Sequence, residues 1–305
     1  MKTAVIFSGQ GAQFSGMGKS FYENCEQSRE ILNKIPSDLR EVCFEGSKED
    51  LSKTEITQPA IYAVNMAGFA AVKSLLDSKN FAVDMVAGFS LGEYSALCAA
   101  GVFDFEAGFD LVSKRGMFMS EAAAENPGGM AAALGDLVAI EKLVGEVKSY
   151  GIITCVNYNC PGQTVVAGEV AAIEAFCENA RANRIKAIKL PVSGAFHSEL
   201  MMPAFGKLSE EISKINLNKP TIDLYSNITG EIIDGENLAE NIAKQVVSPV
   251  RWERSIRNMV AAGAELFIEV GVGSTLTKFM SKIAPEVKSV DVSSVEDLEK
   301  LAEML

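Results

Sequence analysis

The sequence predicts an α/β protein in which a large α/β lobe is interrupted by a small α+β lobe. Three observations predict it. Short apolar runs end in glycine loops, helically spaced apolar residues separate those runs, and the pattern changes after the breaker cluster Asn126-Pro127-Gly128-Gly129. At 305 residues, 48% hydrophobic and 22% charged, the chain has the composition of a folded globular protein with room for two lobes.

Ala4-Val5-Ile6-Phe7 followed by Ser8-Gly9-Gln10-Gly11 reads as a buried strand entering a loop. From Ala60 to Leu76, Ile61, Val64, Ala67, Phe69, Val72 and Leu75 recur at helical intervals. Met85-Val86-Ala87 then leads into Gly88-Phe89-Ser90-Leu91-Gly92 and a segment rich in helix formers, Glu93 to Ala100, which is a strand, a turn and a helix. Asp104 is placed to cap a further helix running to about Ala124. Beyond the breakers the expected order is strand 130–134, helix 137–149, strands 152–157 and 163–168, helix 170–182 and strand 185–190. That βαββαβ order is the ferredoxin-like arrangement. After Pro191 come the apolar run Ile222 to Tyr225, a helix around Ala239 to Val247, the strand Glu265 to Val270, and a helix opened by Gly271-Val272-Gly273-Ser274. The expected division is therefore a large lobe of 1–125 and 192–305 and a small lobe of 126–191, with a site in the cleft between them.

Composition excludes several functions. Lys2 and the short apolar run Thr3 to Phe7 fall far short of a signal peptide. The uncharged stretch Gly151 to Gly168 is broken by Asn157, Asn159, Pro161, Gly162 and Gln163, so it does not read as a membrane span. Six cysteines without a C-x-x-C pair, beside one histidine, argue against a metal site and for reduced, buried thiols in the cytoplasm. A net charge of -12 argues against nucleic acid as partner. Arg181, Arg184, Lys186 and Lys189 form a local basic segment that could receive an acidic partner, although such a cluster is more often a solvated helix end.

Gly88-x-Ser90-x-Gly92 between strand and helix matches the nucleophile elbow, whose glycines permit the sharp turn that exposes a serine hydroxyl. The expected large lobe is thus α/β-hydrolase-like. The string alone arises in roughly one chain in ten of this length, so its strand-turn-helix context carries the inference. At the head of the following helix, the backbone N–H of Leu91 points toward a developing oxyanion. A serine needs a base, and His197 is the single histidine, in the polar segment Ser193-Gly194-Ala195-Phe196-His197-Ser198 where the small lobe rejoins the large one. The Gly9-Gln10-Gly11 loop offers the N–H of Gln10 as a second oxyanion donor. Gly18-Lys19-Ser20 imitates the end of a P-loop, but Gln13 stands where its first glycine belongs, and Gly9-x-Gly11 followed by Phe14 misses the dinucleotide fingerprint.

Five separated motifs then stand in order: Gly9-Gln10-Gly11-Ala12-Gln13, Gly88-Phe89-Ser90-Leu91-Gly92-Glu93, Arg115-Gly116, Gly194-Ala195-Phe196-His197-Ser198 and Ser248-Pro249-Val250-Arg251-Trp252. Together they resemble the malonyl-CoA:acyl carrier protein transacylases nearly end to end. The resemblance implies Ser90 as the acyl carrier, His197 as proton shuttle, and Gln10 and Leu91 as oxyanion donors. It also implies Arg115 as the partner of the malonyl carboxylate, a role that suits the two-pronged guanidinium and would not suit lysine. Gln245 matches the position whose backbone carbonyl orients the histidine, replacing the carboxylate of a triad. Phe196 resembles the aromatic associated with malonyl rather than methylmalonyl groups, against a plain packing role.

The implied substrates are malonyl-CoA and the phosphopantetheine thiol of acyl carrier protein, with no bound cofactor and no metal, in a cytoplasmic monomer serving fatty acid elongation. Ser8, Phe89, Ser120 and Val272 depart from the family's usual proline, histidine, glutamine and proline. A serine esterase or thioesterase, an acyltransferase of a polyketide pathway, and a non-catalytic carrier-docking protein are the alternatives, and Arg115 discriminates the transferase from the esterase.

Overall fold

A computed structural model describes residues 1–192 and 194–305, and among these nine strands form two sheets. The strands are β1 Lys2–Phe7, β2 Met85–Gly88, β3 Gly128–Leu134, β4 Ile153–Cys160, β5 Gln163–Glu169, β6 Lys186–Lys189, β7 Asp223–Tyr225, β8 Ala264–Val270 and β9 Lys288–Val292. The first sheet runs β7-β2-β1-β8-β9 with every pairing parallel. A parallel sheet requires crossovers that cover its faces, and its central strands are accordingly apolar on both sides: Ala4 to Phe7 and Val86 to Ala87 are fully buried. From β1 the chain works outward to β2 and β7, then returns to the other side for β8 and β9. Crevices at the carboxyl ends of such central strands are where ligands bind in open α/β sheets.

The second sheet is antiparallel, ordered β4-β5-β3-β6, and is the expected ferredoxin-like arrangement. Alternation along β3 divides its labour. Ala131 and Ala133 face Ile140, Leu143 and Phe176 of the helices Leu137–Glu146 and Val170–Ala182, whereas Met130 and Ala132 join the main core. β4 also bridges to the rest of the molecule, with the N–H of Tyr158 donating to Val250 O at 2.9 Å and that of Val250 donating to Val156 O at 2.7 Å. One flank of the second sheet is thereby pinned beside the first.

The helix expected from Ala60 starts earlier, spanning Thr54–Ser78 with Pro59 inside it. Proline reads as a helix breaker, which is why the spacing was legible only beyond it. This helix is long and apolar enough to cross a membrane, yet most of it is buried in the core. Asp104 caps the helix Phe105–Glu125 as expected, accepting from Ala107 N at 2.8 Å. The helix expected over 137–149 ends at Glu146 and continues as a 3-10 turn, and the one expected to Val247 ends as α-helix at Lys244 before the 3-10 turn Gln245–Val247.

Candidate active site

Ser90 is carried by a turn with almost no room in it. A Cβ on Gly88 would meet the carbonyl carbon of Gly92 at 1.9 Å, and one on Gly92 would meet Phe7 O at 2.2 Å. Ser90 between them has φ 52°, the left-handed region that costs a side-chain-bearing residue energy. Asn227 supports the turn, its Oδ1 accepting from Ser90 N at 2.7 Å and its Nδ2 donating to Gly88 O at 2.6 Å. The result projects Ser90 Oγ beyond the carboxyl end of β2.

His197 lies 2.7 Å away, Nε2 to Oγ, although 107 residues separate the two in the chain. It too has a positive φ, 64°, and its N–H donates to Val246 O at 3.1 Å. Nδ1 sits 3.0 Å from Gln245 O and 3.1 Å from Ser248 O. Carbonyl oxygens only accept, so Nδ1 carries the proton and Nε2 is the bare acceptor for the serine O–H. Burial, and secondarily the Arg115 charge, push the imidazole down to about 4, so at pH 7 it is neutral and its Nε2 is unprotonated.

Arg115, on the helix Phe105–Glu125, is 1% exposed. Its Nη1 donates to Gln58 Oε1 at 2.6 Å, and its Nη2 lies 2.9 Å from Gln245 Oε1 and 3.3 Å from Ser90 Oγ. Its guanidinium also stands over the Tyr94 ring, 5.1 Å from the centroid. The side chain of Gln245 ties this group together, because its Nε2 donates both to Ser90 O at 2.6 Å and to Glu93 Oε2 at 2.7 Å. Glu93 accepts in turn from Asn227 N at 3.0 Å, and burial pushes its carboxyl up to about 7.

Gln10, Ser90, Arg115, Phe196 and His197 line one cavity, whose remaining wall includes Met130 and Asn157 of the second sheet. Among the described residues, the backbone N–H groups of Gln10 and Leu91 have no acceptor. Of the other two sequence-predicted site residues, Gln245 bonds to Arg115, Ser90 and His197, and Leu91 follows Ser90 in the turn; Ser193, which opens the histidine segment, lies outside the described residues. No cluster of metal-ligating side chains occurs among the described residues.

The acyl transferase domain family matches residues 4–299 of this chain. A malonyl CoA-acyl carrier protein transacylase of Bacillus subtilis is 37% identical over 306 residues, covering 98% of this chain and 95% of the relative. The chain belongs to the malonyl CoA-acyl carrier protein transacylases. A solved transacylase from Clostridium perfringens superposes with a TM-score of 0.92 at 40% identity, covering 100% of this chain and 97% of the other. A malonyl-transacylase solved in complex with a type II PKS acyl-carrier protein gives a TM-score of 0.93 at 32% identity, with all of both chains covered.

In this transacylase two of the four departures from the family pattern, Ser8 and Phe89, have specific local partners. Ser8 Oγ lies 3.3 Å from Asn65 Oδ1, and Ser8 O accepts from Asn65 Nδ2 at 2.9 Å, which anchors the strand end before Gln10 by side-chain bonds. Phe89 packs edge-on against Trp252 at 5.6 Å and near Phe279 at 6.2 Å. Val272 is fully buried and Ser120 half-buried. Sequence reasoning assigned no role to Gln58, Glu93, Tyr94, Asn227 or the Ser248 carbonyl. Glu93 did carry a signal, the single charged side chain in the helix Gly92–Ala99 that follows Ser90; Asn227 carried none.

Proposed function

We propose that this chain moves a malonyl group from malonyl-CoA to the phosphopantetheine thiol of acyl carrier protein through an ester on Ser90, supplying fatty acid elongation. The observation that carries the reading is a buried guanidinium 3.3 Å from a serine Oγ that is itself 2.7 Å from a neutral imidazole. An esterase needs the last two groups; the cation beside them selects an acyl group that bears a carboxylate.

Ser90 Oγ gives its proton to His197 Nε2 as it bonds to the thioester carbon. The N–H groups of Gln10 and Leu91 receive the oxyanion. On collapse the C–S bond breaks and His197 returns the proton to the CoA sulfur. The carrier's thiol then repeats the sequence in reverse, giving its proton to His197 and leaving Ser90 protonated. Gln245 and Ser248 carbonyls hold the imidazole tautomer throughout. Phe196 narrows the cavity against α-branched groups. Both substrates bring their own pantetheine arm, so the protein requires no bound cofactor or metal for these steps.

The division of the chain into 1–125 with 192–305 and 126–191 belongs to the same reading, supported by the two separate sheets. So do a monomeric state and a cytoplasmic location, the latter supported by six free cysteines. Intact-protein mass spectrometry after mixing with malonyl-CoA, acetyl-CoA or methylmalonyl-CoA tests the function. The expected result is a malonyl adduct that is absent in Ser90→Ala and is discharged by holo acyl carrier protein. Rapid hydrolysis of neutral acyl thioesters, unaffected by Arg115→Ala, would favour the esterase.

A further inference from the structure

Arg115, the group proposed to meet the substrate carboxylate, touches the serine itself. Its Nη2 is 3.3 Å from Ser90 Oγ, while that same oxygen is 2.7 Å from His197 Nε2. A hydroxyl that donates to the imidazole and accepts from a guanidinium has a lone pair engaged by a cation. Gln58 and Gln245 hold its two Nη atoms and Gln245 is itself fixed by Ser90 O and Glu93, so without a competing anion the guanidinium stays on Ser90 Oγ.

We propose that the substrate's own carboxylate switches on the nucleophile: by pairing with Arg115 it draws the guanidinium off Ser90 Oγ and cancels the positive charge beside His197. This rests on the reading that Arg115 receives the malonyl carboxylate, and it adds that the anion accelerates the chemical step rather than only holding the substrate.

Two effects act in the same direction. Relieved of the guanidinium, the Oγ lone pair is free to form the C–O bond. When the Oγ proton passes to Nε2, a second cation forms next to Arg115, and a carboxylate already paired there removes that repulsion. The charged groups facing the imidazole are Arg115 from the helix Phe105–Glu125 and, through Gln245, Glu93 from the helix Gly92–Ala99. The carbonyls of Gln245 and Ser248 face it from the third side. Burial is the larger cause that lowers the basicity of His197 and Arg115 the second, so neutralising Arg115 raises that basicity. The carboxylate is not consumed; proton, acyl group and CoA follow the steps above.

Splitting malonyl into its two halves tests the idea. The saturating rate of acetyl-enzyme formation from acetyl-CoA is measured by rapid quench and intact mass, with sodium formate or with sodium chloride at equal ionic strength. Formate should raise that rate about tenfold, the size of one charge-assisted hydrogen bond, and move the acid limb of its pH profile upward. Arg115→Gln should abolish the formate effect; if that variant does not fold, the wild-type comparison decides alone. A rate that is unchanged or slowed by formate, or no acetyl-enzyme in either salt, overturns the proposal. Failure of the underlying reading looks different, because malonyl-CoA would then leave no adduct on Ser90.

Discussion

At the scale of single residues, the proposed chemistry depends on keeping His197 neutral and Arg115 charged, both within hydrogen-bond reach of Ser90 Oγ. Burial disfavours the imidazolium, and Arg115 adds to that, bringing His197 to about 4. Because the base works in its unprotonated form, Ser90 malonylation should lose no more than half its rate until the pH falls below 5. A free histidine would already be half protonated near 6.5. Single-turnover rates in overlapping buffers check this, and an acid limb near 6.5 would contradict the burial argument.

Glu93 presents a second residue-scale case. Both its oxygens accept from buried donors, Asn227 N and Gln245 Nε2, so the position calls for an acceptor-only group. Glu93→Gln sets an NH2 against one of those donors. It should lower kcat/KM for malonyl-CoA by about tenfold or more, with Glu93→Asp recovering part of the loss in the same assay.

At the scale of the element, the strand-turn-helix around Ser90 works because two glycines let backbones approach within a distance that forbids a side chain. Gly88→Ala would drive a methyl into the backbone of Gly92, where nothing flexible can yield. Loss of at least about 3 kcal/mol is expected, together with loss of the malonyl adduct, measured by urea unfolding and intact mass. These elbow glycines were legible in the sequence because a turn motif is local. The edge strand β9 and the helices Met202–Ile212 and Trp252–Ala261 were not read from it. In β9 only Val292 is fully buried, and a short, half-exposed edge strand has little alternation to betray it.

At the scale of the whole molecule, buried titratable groups link stability to pH. Burial holds Glu269 up to about 7, although it accepts from the N–H of Leu276 at 3.1 Å and of Thr277 at 2.7 Å at the start of the helix Thr275–Ile283. Glu93 behaves alike, while His197 is shifted down and binds its proton more weakly in the folded state. A carboxyl raised by folding contributes stability below its unfolded value, near 4.5, and loses it as pH rises through about 7. His197 acts in the opposite sense, its contribution being lost as pH falls from about 6.5 toward about 4. Glu269→Gln, which cannot titrate, should therefore gain stability relative to the parent between pH 5.5 and pH 8. Urea midpoints at the two pH values check the sign.

By itself the sequence determined the class of fold, the strand-turn-helix around Ser90 and the glycine loop at Gln10, because elbows, glycine loops and apolar periodicity are written in near neighbours, whereas Arg115, Gln245 and Phe196 were candidates only through the resemblance of the five motifs. What only the tertiary structure decided is which distant groups support them. Asn227 meets Ser90 across 137 residues, Gln245 meets Glu93 across 152, and Met130 and Asn157 reach the same cavity from the other sheet. The physical reason is that local spacing specifies an element's shape and its apolar face, whereas the pairing of one buried donor with one acceptor is settled only when packing brings their elements together.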